Sequence, residues 1–209
     1  MTKPAYMIFG LDVHDAEKFG QYAQGTLPLL EKYGVQVFSA RNDVETLKGS
    51  WNRQRVTILK YPSLAAAKEF WNLEEYAPLK ALRESASDAD IMLIEGMTDD
   101  DPDNAPDDLD NCHYVFGQND MLNADWIPEY QANVGPVAAK WGLSMLASGD
   151  GFEVLDGNFP RQTMVLLQFP SEDAFRGFWW DDDYLHIKKL REDNTVADSI
   201  AFAGGFDAG

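Results

Sequence analysis

Apolar and polar positions along the chain change period several times, and each change marks an element. Residues 6–11 (YMIFGL) form an apolar run of strand length. Over residues 15–33, Phe19, Tyr22, Leu29, Leu30 and Tyr33 recur at near-helical spacing, and Gly34 supplies a stop, which predicts a helix. A second strand follows over 35–40, then a polar stretch closing at Gly49, then a β-rich run over 53–61. Pro62 and Ser63 end that run as a turn and helix N-cap. Residues 64–85 carry Phe70, Leu73, Tyr76, Leu79 and Leu82 on one helical face, and 90–95 (DIMLIE) close the series as a strand. The order is β-α-β-β-α-β.

The same order then repeats. Shifted by 108 positions, residues 6–96 align with 114–204 without a gap and give 26 identities in 91 positions. The matched pairs include Tyr22 with Tyr130, Pro28 with Pro136, Gly34 with Gly142, Gly49 with Gly157 and Arg53 with Arg161. The run Leu82, Arg83, Glu84 matches Leu190, Arg191, Glu192. Residues 1–96 therefore read as a first ferredoxin-like unit and 114–209 as a second. Between them, 97–113 are acidic and rich in Pro and Asn, with few large apolar side chains, as expected of a linker.

The predicted fold class is α+β. A four-stranded antiparallel sheet with both helices on one face leaves its other face bare and apolar. Covering it with the same face of the second unit gives an intramolecular, pseudo-dimeric α/β barrel with pseudo-twofold symmetry.

Composition narrows the partners. Thirty-five acidic against 17 basic residues give a formal charge of −18, unfavourable for sequence-independent binding to nucleic acid or an anionic membrane. Cys112 is the lone cysteine, so an internal disulfide and a thiolate zinc site are both excluded. No run reaches the roughly 18 apolar residues of a membrane span, and the N-terminus lacks the pattern of an export signal. The expectation is a cytoplasmic protein, either a monomeric pseudo-dimer or a higher homo-oligomer.

A family resemblance rests on particular residues. Tyr22, Pro28 and Gly34, then Leu47-x-Gly49-x-Trp51, Arg53-x-Arg55, Tyr61-Pro62-Ser63, Trp71, Tyr76 and Arg83, resemble domain-of-unknown-function family 1330 in the dimeric α/β barrel superfamily. The resemblance is close over 6–96 and looser over 114–204. It implies a fold and a cavity, without an activity. Relatives in the superfamily include cofactor-free monooxygenases, lactone isomerases, haem-handling enzymes and stress-related proteins. The copies depart from the pattern differently. The acidic position before the EG-type glycine is Lys48 in one copy and Asp156 in the other, and Arg55 is replaced by Thr163. Strand MIFGL becomes VFGQN, bringing in Gln118 and Asn119, and Ile94-Glu95 becomes Phe202-Ala203. A fused pair is free to specialise one site and abandon the other.

Candidate chemistry follows from these positions. Arg53, Arg55 and Arg161 are placed to orient an anionic group, with Tyr22, Tyr130, Trp51, Gln118 and Asn119 as further ligand contacts. For Arg53 and Arg161 the alternative is a structural ion pair to Glu84 or Glu192, and for the tyrosines a place in the core. Asp156, Glu95 and His186 are the proton-transfer candidates. His186 also has a haem-ligand reading, against that of an exposed helix histidine. No metal site is expected, because His14, His113 and His186 are far apart in sequence. Asp181, Asp182 and Asp183 read as a solvated turn, since the aligned segment from Trp71 to Glu75 is a break between helices. No cofactor is called for. The function expected is a cofactor-independent enzyme, of isomerase, lyase or monooxygenase type, acting on a small anionic or aromatic metabolite in a barrel cavity. The alternatives are a non-catalytic binding or stress-response protein that holds a small molecule or haem, or a structural module whose sheets enclose no pocket.

Overall fold

The computed structural model describes residues 2–97 and 108–207; most of the predicted linker lies outside them. The first half runs β1 (Ala5–Val13), α1 (Ala16–Lys32), β2 (Gln36–Arg41), β3 (Glu45–Lys48), β4 (Arg55–Tyr61), α2 (Leu64–Trp71), α3 (Ala77–Glu84) and β5 (Ser87–Glu95). The second repeats it as β6 (His113–Met121), α4 (Ile127–Lys140), β7 (Ser144–Gly149), β8 (Glu153–Asp156), β9 (Thr163–Phe169), α5 (Glu172–Trp179), α6 (Asp182–Asn194) and β10 (Thr195–Ala203), followed by β11 (Gly205–Phe206). His113, placed at the end of the predicted linker, opens β6 and is buried against Phe175.

Local chemistry sets the boundaries. Asp15 caps α1 through the Lys18 amide, and Ser63 and Ser171 cap α2 and α5 through the Ala66 and Ala174 amides. The helical stretch expected over 64–85 is two helices, parted at the break expected from Trp71 to Glu75, and Pro78 in the first turn of α3 disfavours a continuous helix before it. In the second half the Pro78 position is His186, and Asp181 makes the break instead. It is buried, caps α6, and accepts hydrogen bonds from Lys140 Nζ and Trp141 Nε1 at 2.6 and 2.8 Å. Those donors hold its carboxyl pKa at about 2. In place of the solvated turn expected at this position, Asp181 is buried, and Asp182 and Asp183, though exposed, open α6.

The sheets are larger than the four strands expected. One has the order β11-β2-β4-β1-β5-β8 and the other β3-β10-β6-β9-β7. The short strands β3 and β8 are exchanged: β3 pairs with β10 of the second half, and β8 with β5 of the first. Gly49 and Gly157 end these strands with φ of 67° each. A Cβ at either would overlap the other half, at Ala197 O and Asp198 Oδ1 or at Ala89 O and Asp90 Oδ1. Glycine is needed there both for the dihedral and for the close approach.

The sheets face each other as expected, but the space between them is filled. Tyr6, Ile8, Ile58 and Met92 of one sheet pack with Tyr114, Phe116, Leu166 and Phe202 of the other in one continuous core. The barrel body is therefore solid. Open space lies at its mouth and between each sheet and its own helices.

Candidate functional site

Alternation along β1 and β6 sends one set of side chains into the barrel and the other toward the helices. On the helix side each half has a cavity, and the two are built from matched residues. In the first half it is about 140 Å³, lined by Phe9, Leu11, Tyr22, Arg55 and Tyr76 and closed over by Phe206 of β11. In the second it is about 300 Å³, and the matched positions are Gly117, Asn119, Tyr130, Thr163 and Tyr184. Replacement of Phe9 by Gly117 removes a whole aromatic side chain from the floor, which accounts for the direction of the difference. Leu11 to Asn119 makes the same wall more polar.

The arginines divide along the same line. Arg55 is held by Asp207 Oδ2 at 2.9 Å, Asn42 Oδ1 at 3.1 Å and the Ala40 carbonyl at 2.9 Å. Arg83, fully buried, donates from Nη2 to Asp156 Oδ2 at 2.9 Å, while its Nε and Nη1 have no partner. Both first-half guanidinium charges are thus neutralised. Arg191, the counterpart of Arg83, lines the second cavity with its guanidinium carbon 5.8 Å from the Trp179 ring. Among the described residues it makes no ion pair, and its buried Nε has no hydrogen-bond partner.

Tyrosines line both cavities. Tyr22 and Tyr76 share a hydrogen bond of 3.3 Å. Burial pushes the Tyr22, Tyr76 and Tyr130 phenols above their ordinary value, so all three stay protonated at neutral pH.

A separate cavity of about 370 Å³ sits at the barrel mouth on the pseudo-twofold, with Trp51, Gln118 and Phe159 in its wall. Trp51 packs over Gly10 at 3.0 Å from where a Cβ would stand; in the second half the matched positions hold the smaller Phe159 and the larger Gln118. Trp51 Nε1 and Gln118 Oε1 are buried without partners. Arg53 donates to Asp90 Oδ2 at 2.7 Å and Asp12 Oδ2 at 2.9 Å; Arg161 repeats this with Asp198 and Asp120 at the same distances. The ion-pair partners are strand carboxylates rather than Glu84 or Glu192 of the helices. Each network crosses between halves, because Asp90 Oδ1 accepts from the Asn158 amide and Asp198 Oδ1 from the Ser50 amide, at 2.8 and 2.9 Å.

Candidate proton-transfer groups lie elsewhere. Glu95 and His186 are exposed and line none of these cavities. Asp156 lies in an outer groove beside Arg53 and Glu84 and is engaged by Arg83. Tyr130 and Asn119 do share one cavity, Trp51, Arg53 and Gln118 share the barrel mouth, and Arg55 and Tyr22 share the first-half cavity. The sequence reading missed Arg191, Asp12 and Asp90 as site residues. Arg83 with Arg191, Asp12 with Asp120 and Asp90 with Asp198 are all identical between copies, and that identity was the available signal.

Among the described residues no cluster of three or more His, Cys, Asp or Glu is placed to hold a metal ion, and no helix is long and apolar enough to cross a membrane. No histidine or cysteine lines either sheet–helix cavity, so the residues present do not make a His- or thiolate-ligated haem site.

Comparison with known proteins matches this architecture. No curated protein matches the chain. Solved structures do: a candidate monooxygenase from Lactobacillus acidophilus is 10% identical, with 97% of this chain and 94% of that one covered and a TM-score of 0.54. A haem-binding protein from Thermus thermophilus is 10% identical, with 98% and 92% covered and a TM-score of 0.52. A chlorite dismutase from Candidatus Nitrospira defluvii is 8% identical, with 94% and 90% covered and a TM-score of 0.55. At these identities the likeness is one of fold, that of the dimeric α/β barrel proteins. Residues 4–97 and 113–205 each match the family described as domain of unknown function DUF1330, and the chain belongs to that family as two tandem copies.

Proposed function

We propose that this protein binds a small organic molecule in the sheet–helix cavity of its second half, and that the matching first-half cavity is no longer a working site. The observation that carries the reading is the replacement of Phe9 by Gly117 between cavities of about 140 and 300 Å³. The larger one has apolar walls from Val115, Leu167 and Trp179, with a few polar groups converging on it, the usual make-up of a ligand site. Binding is favoured over acid–base catalysis, because no carboxylate or histidine lines that cavity. A reducing cytoplasm, which the lone Cys112 suits, is the setting we assign.

The test is to soak crystals of the full chain with 2-naphthol. Density between α4, α6 and β6 that vanishes in Gly117→Phe, a variant that installs the first-half side chain, supports the reading. Density at the barrel mouth or in the first half alone would overturn it.

A further inference from the structure

We infer that the second-half cavity recognises a carboxylate on an apolar ligand through Arg191, a guanidinium whose intramolecular carboxylate partner has been replaced by Lys48. This rests on the reading of that cavity as a binding site and names the ligand class.

In the first half, β8 lies beside β5 with Asp156 opposite Ile91, and from there its carboxylate reaches Arg83 at 2.9 Å. In the second half, β3 lies beside β10 with Lys48 opposite Ser199, the same register shifted by one repeat. The residue that would neutralise Arg191 is therefore a cation. Lys188 adds a third, with Nζ 4.5 Å from the Trp179 ring centroid and 4.0 Å from Glu192 Oε1. Burial lowers the Lys188 pKa; Glu192 works against that, while Arg191 and Lys48 add to it, so the three cations share one neighbourhood.

A half-buried guanidinium without a counter-ion costs free energy that the first half avoids. Arginine does not lose its proton in a protein, so an anion from outside is the remaining way to neutralise it. Its planar fork fits a carboxylate, and the Trp126, Trp179 and Leu167 walls fit an apolar body attached to it. On a chain of formal charge −18 a local excess of positive charge is also what would draw such a ligand to this opening.

The experiment is isothermal titration of the full chain with 1-naphthoate and, separately, with its neutral amide, 1-naphthamide. The naphthoate is expected to bind at least about tenfold more tightly, the scale of one charge-assisted hydrogen bond. Arg191→Gln should abolish that preference. Lys48→Asp, an exposed substitution that restores the missing carboxylate, should also abolish it, whereas Lys48→Gln should keep most of it. Equal affinity for the two probes in the wild-type chain, or an unchanged preference in Lys48→Asp, overturns the carboxylate assignment and leaves the binding cavity standing. Binding of neither probe overturns both.

Discussion

Asp156 accepts a hydrogen bond from Arg83 Nη2 at 2.9 Å, although the two residues belong to different repeats. The pair exists because β8 leaves its own half and docks beside β5. The reciprocal movement of β3 brings Lys48, not a carboxylate, to Arg191. One position on each exchanged strand thus sets whether the matched arginine of the opposite half is neutralised. The two halves differ in charge there although Arg83 and Arg191 are identical.

Removing the Asp156 carboxylate leaves buried Arg83 with only its longer contact to Glu84, at 3.5 Å. Asp156→Asn should destabilise the fold by about 2 kcal/mol, short of the ~3–5 kcal/mol of a fully buried pair because Asp156 keeps contact with solvent. Lys48→Asn at the matching site should change stability by less than about 0.5 kcal/mol. Urea denaturation of both variants checks this; similar losses in the two would contradict the charge asymmetry.

At the barrel mouth the opposite behaviour is expected, because the networks there are symmetric. Asp90→Asn and Asp198→Asn each weaken a bond to an arginine and a bond to a backbone amide of the other half. Each should cost roughly 1–3 kcal/mol, and the two costs should agree. A thermal-unfolding comparison in which only one variant is destabilised would show that the halves are joined unequally.

The exchanged strands end on obligatory glycines. Gly49→Ala and Gly157→Ala force a side chain into a left-handed conformation and onto backbone of the partner half, so each should destabilise by about 2 kcal/mol or more. Equilibrium unfolding decides it, and a neutral result at either position would mean that the strand end can move away.

His113 supplies a pH dependence. Its ring stacks on Phe175 at 4.6 Å, and neither nitrogen has a hydrogen-bond partner. Burial pushes its pKa below 6.5; Arg176 adds to that, while Glu172, Glu45 and Asp43 oppose it. The unfolded chain therefore takes up the proton first as pH falls, and stability is full above about 6.5 and declines below it. His113→Phe keeps the stack and should flatten this decline between about pH 6.5 and 5, as denaturation midpoints across that range would reveal.

Much of this fold was legible because its signals are local or repeated. The strand at 6–11, the helix stop at Gly34, the Ser63 cap and the 108-residue offset need no knowledge of distant contacts. Strands β3 and β8 were not legible. Each is four residues long, has no buried residue, and is paired only with the other half, so no periodicity marks it. The site suffered from the same gap. Lys48 and Asp156 stood out as a mismatch, yet nothing local tells that they face Arg191 and Arg83. The cavity was expected inside the barrel, whereas alternation along β1 puts Phe9, and along β6 puts Gly117, on the helix side.

Strand exchange also bears on how the chain is made. A ribosome delivers the first half long before β8, so the outer edge of β5 emerges unpaired and β3 emerges with no sheet to join. Neither half can close its sheets in order of synthesis; both must wait for pairings between distant parts of the chain, which are slow to form and leave strand edges open to wrong partners. Fusing the repeats keeps the right partner tethered throughout that interval, which two separate subunits would have to find by diffusion.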